Sequence, residues 1–241
     1  MKKILKYFIL ISIAIFILCL FFFPRSAQIA VEWRRRSGMD SQFCPQGDGK
    51  TFDDELLVHV NKTIALPSGY VPENLVDISK EIKSTQRICL KREALDALKN
   101  MFADAQAQDI TLAATSAFRS QQVQSQLYKA LYALKGEKAK DRIAPPSHSE
   151  HQLGTTVDIS GKSINYVSAS DRFTDTEEEL WLRANAYKYG FVQSYPKGKT
   201  PITGYDHESW HYRFLGTEVA SKIFEEGITT EEYFTNLEVN N

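Results

Sequence analysis

Two short polar segments constrain this chain more than any other feature, because their side chains can meet only if the fold brings distant parts of the sequence together. The segments span residues 149–158 and 208–213, and they contain imidazoles and carboxylates. Open catalytic zinc sites take three ligands from His and Asp or Glu, and a further carboxylate handles protons. The candidate ligands are His151, Asp158 and His211, and the candidate proton carrier is Glu208.

The residues around the first segment allow these groups to converge. Gly154 gives the backbone freedom to turn between His151 and a short strand predicted over 155–160. On that strand Asp158 alternates with apolar neighbours, so that it can face a pocket while they face the core. Each segment alone is also typical of hydrogen-bonded structural residues. Glu150 is expected to be a solvated surface residue.

Periodicity predicts the remaining elements. Helices are expected over 91–107, 121–134, 177–189 and 217–226, and strands over 110–115, 155–160 and 210–215. The third helix is predicted to bury Leu180, Ala184 and Tyr187. Helices mixed with short strands that carry site residues indicate an α+β domain.

The N-terminal segment is set apart by its apolar composition. Residues 7–23 carry no charge and, with Ile4 and Leu5, form a run that can span the roughly 30 Å hydrocarbon core. We therefore predict a signal-anchor helix over 1–24, a juxtamembrane linker over 25–53 and one domain over 54–241. A cleavable signal peptide is the alternative, but its apolar region is usually about 7–15 residues long.

Charge and cysteine content leave two questions open. The lysines before the apolar run favour a cytoplasmic N-terminus, whereas Arg25 and residues 34–36 favour the opposite orientation. Cys44 and Cys89 are the only cysteines outside the run, and they can form a disulfide only if their Cα atoms lie close together. Lys+Arg total 29 and Asp+Glu 30, so there is no basic excess for nucleic acid.

The ordered motifs resemble a known family. Ser149-x-His151-x-x-Gly154-x-x-x-Asp158, followed by Glu208-x-Trp210-His211-x-Arg213, is similar to the motifs of VanY-type zinc D,D-carboxypeptidases. Their superfamily includes D-Ala-D-Ala dipeptidases, L,D-carboxypeptidases and the Hedgehog-type fold. An opening wrap over 60–76 and an arginine motif over 116–128 also match, and the resemblance covers about residues 57–216.

The resemblance implies a small antiparallel sheet flanked by helices and a Zn²⁺ ion held by His151, Asp158 and His211. It implies that Glu208 is the catalytic base and that Arg119 is both a catalytic and a substrate-binding residue. Ser149 and Gln124 would support substrate binding.

The implied activity is removal of the C-terminal D-alanine from peptidoglycan stem peptides. Because assembled cell wall lies outside the cytoplasmic membrane, we expect a single-pass membrane protein, anchored through residues 4–23, with an extracytoplasmic domain. No protein partner is implied. An L,D-carboxypeptidase acting on tetrapeptide stems and a non-catalytic zinc-containing wall-binding domain are the alternatives. Retention of Glu208 argues against the latter.

Several other residues have two interpretations. His148 and His207 lie next to the motifs but are expected to be outside the site, and His59 is expected to be structural. The aromatic residues Tyr195, Tyr205, Trp210 and Phe191 can line either the substrate cleft or the core. Ser209 stands where the family usually has proline, which could loosen the placement of Glu208.

Overall fold

The computed structural model describes residues 43–47, 52 and 54–240. It confirms an α+β architecture with small antiparallel sheets. The described strands are β1 (Leu75–Asp77), β2 (Cys89–Lys91), β3 (Leu112–Ser116), β4 (Thr156–Gly161), β5 (Phe191–Gln193) and β6 (His211–Phe214). The α-helices are α1 (Arg92–Gln106), α2 (Gln121–Lys135), α3 (Glu177–Asn185), α4 (Thr200–Thr203), α5 (Thr217–Glu226) and α6 (Thr230–Asn240).

The larger sheet has the strand order β3-β4-β6-β5, and all of its neighbouring strands are antiparallel. Strands β1 and β2 form a separate antiparallel pair. In the β4–β6 ladder Asp158 lies directly opposite His211, and Thr156 lies opposite Arg213. Because alternate residues of a strand share a face, these polar side chains occupy one face of the sheet centre.

The opposite face of the sheet forms the main hydrophobic core. Val157 and Ile159 of β4 are fully buried in the same cluster as Leu95 and Leu98 of α1. Helix α1 therefore buries one face, on which Leu95, Leu98, Met101 and Ala105 recur at three- and four-residue steps. Burial of an aliphatic side chain of this size contributes roughly 1.5–3 kcal/mol, so the core fixes β4 and the side chains on its other face.

Helix α3 differs from its prediction. Leu180 is 43% exposed, Ala184 is exposed and Tyr187 is only partly buried, so the predicted stripe is wrong. The buried apolar residues of this region are instead Trp181, Leu182 and Ala186. The α-helix ends at Asn185 and continues as a 3-10 turn, Ala186–Tyr189.

A buried carboxylate accounts for the orientation of α3. Glu178 accepts hydrogen bonds from the backbone N–H of Ser163, at 2.8 Å, and from its hydroxyl, at 2.7 Å. The first helical turn is thereby fixed with an acidic side chain facing inward. A pattern that places only apolar residues inward assigns the wrong face to such a helix.

The segment before the sheet wraps around the domain. Val58, Val60, Leu66 and Tyr70 form a second cluster of buried residues with Leu153. Residues 58–74 contain bends, a turn and irregular backbone, with no helix or strand among them.

A disulfide joins Cys44 to Cys89, with a Cα–Cα separation of 5.7 Å. It attaches residues of the predicted linker to β2, and the backbone N–H of Gly47 also donates to the carbonyl of Pro72. Both cysteines lie in the compact unit that spans 44–241. The open question about the cysteine pair is therefore answered in favour of a bridge.

The predicted membrane anchor over 1–24 lies outside the described residues, as does most of the predicted linker. Within the part of the chain that the structure describes, no helix combines the length and apolar character needed to cross a membrane.

Candidate metal centre

Strand pairing and one tight turn bring the three candidate ligands together. Asp158 and His211 face each other across the β4–β6 ladder, and His151 lies on the 3-10 turn Glu150–Leu153 that precedes β4. The turn ends at Gly154, whose φ of +71° lies in the left-handed region that glycine enters without a steric penalty. The predicted role of this glycine is confirmed.

The ligand atoms are close to one another and buried. Nε2 of His151 lies 3.3 Å from Oδ1 of Asp158, and Nδ1 of His211 lies 3.5 Å from the same oxygen. The three groups offer ligand atoms that all lie within 4.8 Å of one another. The other ring nitrogen of His151 is 2.8 Å from the carbonyl oxygen of Ala117, which leaves Nε2 directed at the cluster.

These residues fit a zinc ion. Among the described residues Oδ1 of Asp158 is buried yet has no hydrogen-bond partner, although two imidazole nitrogens lie near it. A buried carboxylate oxygen without a partner is costly unless a cation or donor satisfies it. Two imidazole nitrogens and one carboxylate oxygen are also the ligand types of an open catalytic zinc site.

The electrostatics of the cluster favour a bound cation. Burial would raise the pKa of Asp158, but the imidazoles of His151 and His211 hold that pKa well below its usual range. Burial lowers the pKa of His151, which keeps this imidazole neutral and able to ligate. Burial acts in the same direction on His211, yet the carboxylates of Asp158 and Glu150 outweigh it and raise its pKa to about 10. Carboxylates thus surround the centre and stabilise positive charge there.

Glu208 lies at the edge of the cluster. Its Oε2 is 3.4 Å from Nδ1 of His211, and its side chain is 18% exposed, more than that of either histidine. Burial raises the pKa of Glu208 to about 7; the negative charge of Asp158 adds to this effect and His211 opposes it. A carboxyl group poised near neutrality can both accept and return a proton, as the predicted proton carrier must.

Ser209, the neighbour of Glu208, is fully buried. Its hydroxyl accepts a hydrogen bond of 3.1 Å from Thr174, and its carbonyl accepts one of 3.3 Å from Gln193. The serine that replaces the family's usual proline is thus held by side chains from two other segments.

A cavity of about 140 Å³ opens onto the cluster. Arg119, Gln124 and Ser149 line it together with the metal ligands and Glu208. Gln124 is fully buried, and its amide oxygen accepts a 2.9 Å hydrogen bond from Nη1 of Arg119 while its amide nitrogen donates to the carbonyl of Ala144 at 2.6 Å. The structure therefore brings all the predicted site residues to one cavity and shows Gln124 holding the guanidinium.

Glu150 is the residue that the sequence analysis misassigned. It is buried, with 4% of its surface exposed, and its Oε2 lies 2.8 Å from Nε2 of His211. Ser194 and Arg213 also donate to its carboxylate. The expected solvated role is wrong because the 3-10 turn directs this side chain into the protein, behind His211. Two features of the sequence gave the only signal for its burial: its position beside His151 and the presence of Arg213 in the second motif.

The remaining candidates divide between the site and the scaffold. Tyr195 and Tyr205 line the cavity, and Phe191 belongs to the main core. Trp210 lines the cavity and is also part of the main core. His148 lies 2.8 Å from the carbonyl of Asn61, and His59 lies near Glu231 and Glu238. Neither these two histidines nor His207 is among the described residues that line the cavity.

Comparison with known proteins places this site in a family context. The family profile VanY, described as D-alanyl-D-alanine carboxypeptidase, matches residues 87–217. The protein YodJ of Bacillus subtilis (strain 168) is 42% identical over 185 residues, covering 75% of this chain and 67% of YodJ. A D-alanyl-D-alanine carboxypeptidase of Enterococcus faecalis (strain V583) is 32% identical over 198 residues, covering 78% and 68%.

Solved structures show the same relationship. The LD-carboxypeptidase LdcB, whose structure was described in terms of peptidoglycan recognition, superimposes with a TM-score of 0.71 at 39% identity, covering 80% of this chain and 92% of LdcB. The vancomycin-resistance D,D-pentapeptidase VanY in complex with Zn(II) gives a TM-score of 0.61 at 30% identity, covering 75% and 99%.

Proposed function

This chain belongs to the VanY family of D-alanyl-D-alanine carboxypeptidases, and we propose that it removes the C-terminal D-alanine from peptidoglycan stem peptides. It is a zinc metallopeptidase. The observation that carries the proposal is the buried cluster of two imidazoles and one carboxylate, with Glu208 beside it, in a cavity that Arg119 also lines.

His151, Asp158 and His211 would hold the zinc ion. When bound, zinc supplies Lewis acidity, which makes water nucleophilic near neutral pH and polarises a carbonyl group. Glu208 would accept a proton from the attacking water and return it to the amine of the leaving D-alanine. Its raised pKa suits both transfers, because a general base works best with a pKa near the working pH.

Arg119 would bind the anionic end of the substrate. A guanidinium stays charged and offers a planar fork of donors that fits a carboxylate or a developing oxyanion. Its bond to the buried Gln124 fixes the guanidinium before substrate arrives, so that less side-chain freedom is lost on binding. Ser149, buried at the cavity wall, would contribute to the same peptide contacts.

A second function, removal of D-alanine from tetrapeptide stems by an L,D-carboxypeptidase, is favoured by one observation. LdcB, an LD-carboxypeptidase, aligns with 80% of the chain at 39% identity. The two reactions differ in the residue before the scissile bond and use the same metal chemistry. We place the D,D activity first because the family profile and the enterococcal relative both carry that name.

The proposed substrate also bears on location. Stem peptides in assembled wall lie outside the cytoplasmic membrane, so we propose that residues 4–23 anchor the chain and that the catalytic domain faces outward. A reporter fused after Asn241 is expected to behave as extracytoplasmic, and cytoplasmic behaviour would overturn this topology.

The direct test of the mechanism is Glu208→Gln in the full-length chain. We expect D-alanine release to fall by about 10²- to 10⁴-fold, the usual contribution of a general acid-base group, while zinc stays bound at wild-type stoichiometry. Glu178→Gln is the matched control, since Glu178 is a buried carboxylate outside the cavity. Substantial residual turnover in the Glu208 variant would contradict the role of this residue.

A further inference from the structure

Glu150 lies at the centre of a buried hydrogen-bond network behind the proposed metal centre. Its Oε2 is 2.8 Å from Nε2 of His211 and accepts a 2.6 Å hydrogen bond from the hydroxyl of Ser194. Its Oε1 accepts a 3.2 Å hydrogen bond from Nη1 of Arg213. Each of these residues has at most 5% of its surface exposed, so the network is shielded from solvent.

The network determines which nitrogen of His211 is free. A carboxylate paired with a guanidinium can only accept hydrogen bonds, so Nε2 of His211 must carry the hydrogen that lies between the two groups. A histidine that ligates zinc is neutral, and with the hydrogen on Nε2 its lone pair is on Nδ1. That nitrogen lies 3.5 Å from Oδ1 of Asp158 and 3.4 Å from Glu208, on the metal side of the ring.

We propose that Glu150 is a positioning residue that fixes the tautomer and ring orientation of His211 and thereby strengthens zinc binding. The inference rests on the proposed function only in taking His211 as a zinc ligand. A carboxylate behind a ligating histidine also increases the basicity of the imidazole, and loss of such a partner typically weakens metal binding by about 10- to 100-fold.

Arg213 links this network to residues 56–58, which directly precede the opening wrap. It is fully buried, and its Nη2 donates to the backbone carbonyls of Leu56, at 3.1 Å, and Val58, at 2.6 Å. Arg213 also shares a strand face with His211, two residues earlier on β6. Residues 56–58 therefore hold the guanidinium of Arg213, Arg213 holds Glu150, and Glu150 contacts His211. Three consecutive contacts connect this segment to the metal centre.

Glu150→Gln tests the proposal, because glutamine keeps the size of the side chain and removes its charge. If the amide NH₂ faces His211, it requires an acceptor at Nε2 and so moves the hydrogen to Nδ1, the proposed ligand atom. If the amide oxygen faces His211, the NH₂ group faces the N–H groups of Arg213, so that hydrogen-bond donors oppose each other. Either arrangement should weaken zinc binding by about 10- to 100-fold, measured on the full-length chain by competition with a chromophoric chelator.

Two further variants separate positioning from general stability. Glu178→Gln removes a carboxylate of similar burial that bonds to Ser163, so it is expected to leave zinc affinity unchanged even if it lowers the unfolding midpoint. Ser194→Ala keeps the charge of Glu150 and removes one hydrogen bond. Loss of one such bond should weaken zinc binding by about 2- to 10-fold, and this variant keeps the test available if Glu150→Gln does not fold.

The tautomer of His211 can be measured directly, and a loss of stability alone would not change it. Nitrogen NMR of the zinc-loaded wild-type chain is expected to show the hydrogen of His211 on Nε2. The proposal is overturned if that hydrogen is on Nδ1. It is also overturned if Glu150→Gln and Ser194→Ala both bind zinc within about twofold of wild type, because loss of one hydrogen bond should produce a larger difference. None of these measurements uses a substrate. A chain that released no D-alanine but lost zinc affinity in Glu150→Gln would contradict the proposed function and support this inference.

Discussion

Alanine in place of Gly154 is expected to destabilise the chain more than the same change at Gly227. Both glycines have left-handed backbone, with φ of +71° and +64°, and alanine in that region costs about 1–2 kcal/mol. A Cβ at Gly154 would lie 2.7 Å from Cδ2 of Leu75 and 3.0 Å from Cγ of Pro72. At Gly227 a Cβ would meet no heavy atom of the described residues within 4 Å.

The difference between the two variants therefore isolates the crowding. Overpacking of this kind typically costs about 1–3 kcal/mol, so we expect a total of about 2–5 kcal/mol for Gly154→Ala and about 1–2 kcal/mol for Gly227→Ala. Because Gly154 joins the turn of His151 to the strand of Asp158, Gly154→Ala should also weaken zinc binding, whereas Gly227→Ala should not.

Urea unfolding of the full-length chain measures the predicted difference. A chelator is present throughout, since metal bound only by the native state would add its own stabilisation. The free energy of unfolding is taken from the midpoint and slope of each transition. Equal destabilisation by the two variants would refute the argument that Leu75 and Pro72 restrict this turn.

Three other predictions follow from single contacts. Removing the disulfide by Cys44→Ser with Cys89→Ser should lower the free energy of unfolding by roughly 2–4 kcal/mol, measured by urea unfolding, and an unchanged midpoint would contradict it. Burial lowers the pKa of His59, but hydrogen bonds to two glutamates outweigh burial and raise that pKa. The ion pairs of protonated His59 therefore stabilise the folded chain fully below about pH 6.5. This stabilisation is lost as pH rises through the folded-state pKa of His59. His59→Gln should accordingly lower the melting temperature more at acidic than at alkaline pH, and a pH-independent loss would count against the ion pairs. Arg119→Lys should lower kcat/KM by about 10- to 100-fold, because lysine lacks the fork that Gln124 holds, and wild-type kinetics would rule out this binding role.

Sequence could predict which side chains of β4 and β6 face away from the core, because alternation along a strand is local. On β4 and β6 strict alternation decides which side chains share a face, so Asp158 and His211 are directed away from the core by the same pattern that buries Val157 and Tyr212. The turn at Gly154 is also set by one residue. These two features depend on near neighbours in sequence. The meeting of Asp158 with His211 depends on the pairing of β4 with β6, and only the resemblance to the family implied it.

The features that the sequence analysis missed depend on remote partners. Glu150 is buried because Ser194, His211 and Arg213 converge on it from segments far along the chain, and no periodic pattern records that convergence. Helix α3 is oriented by the bond between Glu178 and Ser163, which overrides its apolar pattern. Short strands such as β5 carry too few residues to show alternation at all.

The central claim is that the buried cluster is a zinc site that releases D-alanine from stem peptides. The most direct measurement is incubation of the full-length chain with pentapeptide and tetrapeptide stems, with and without a chelator, followed by identification of the released amino acid. We predict D-alanine release from the pentapeptide that the chelator abolishes and added zinc restores. Release from the tetrapeptide alone would establish the L,D alternative, and the absence of chelator-sensitive release from either stem would contradict the claim.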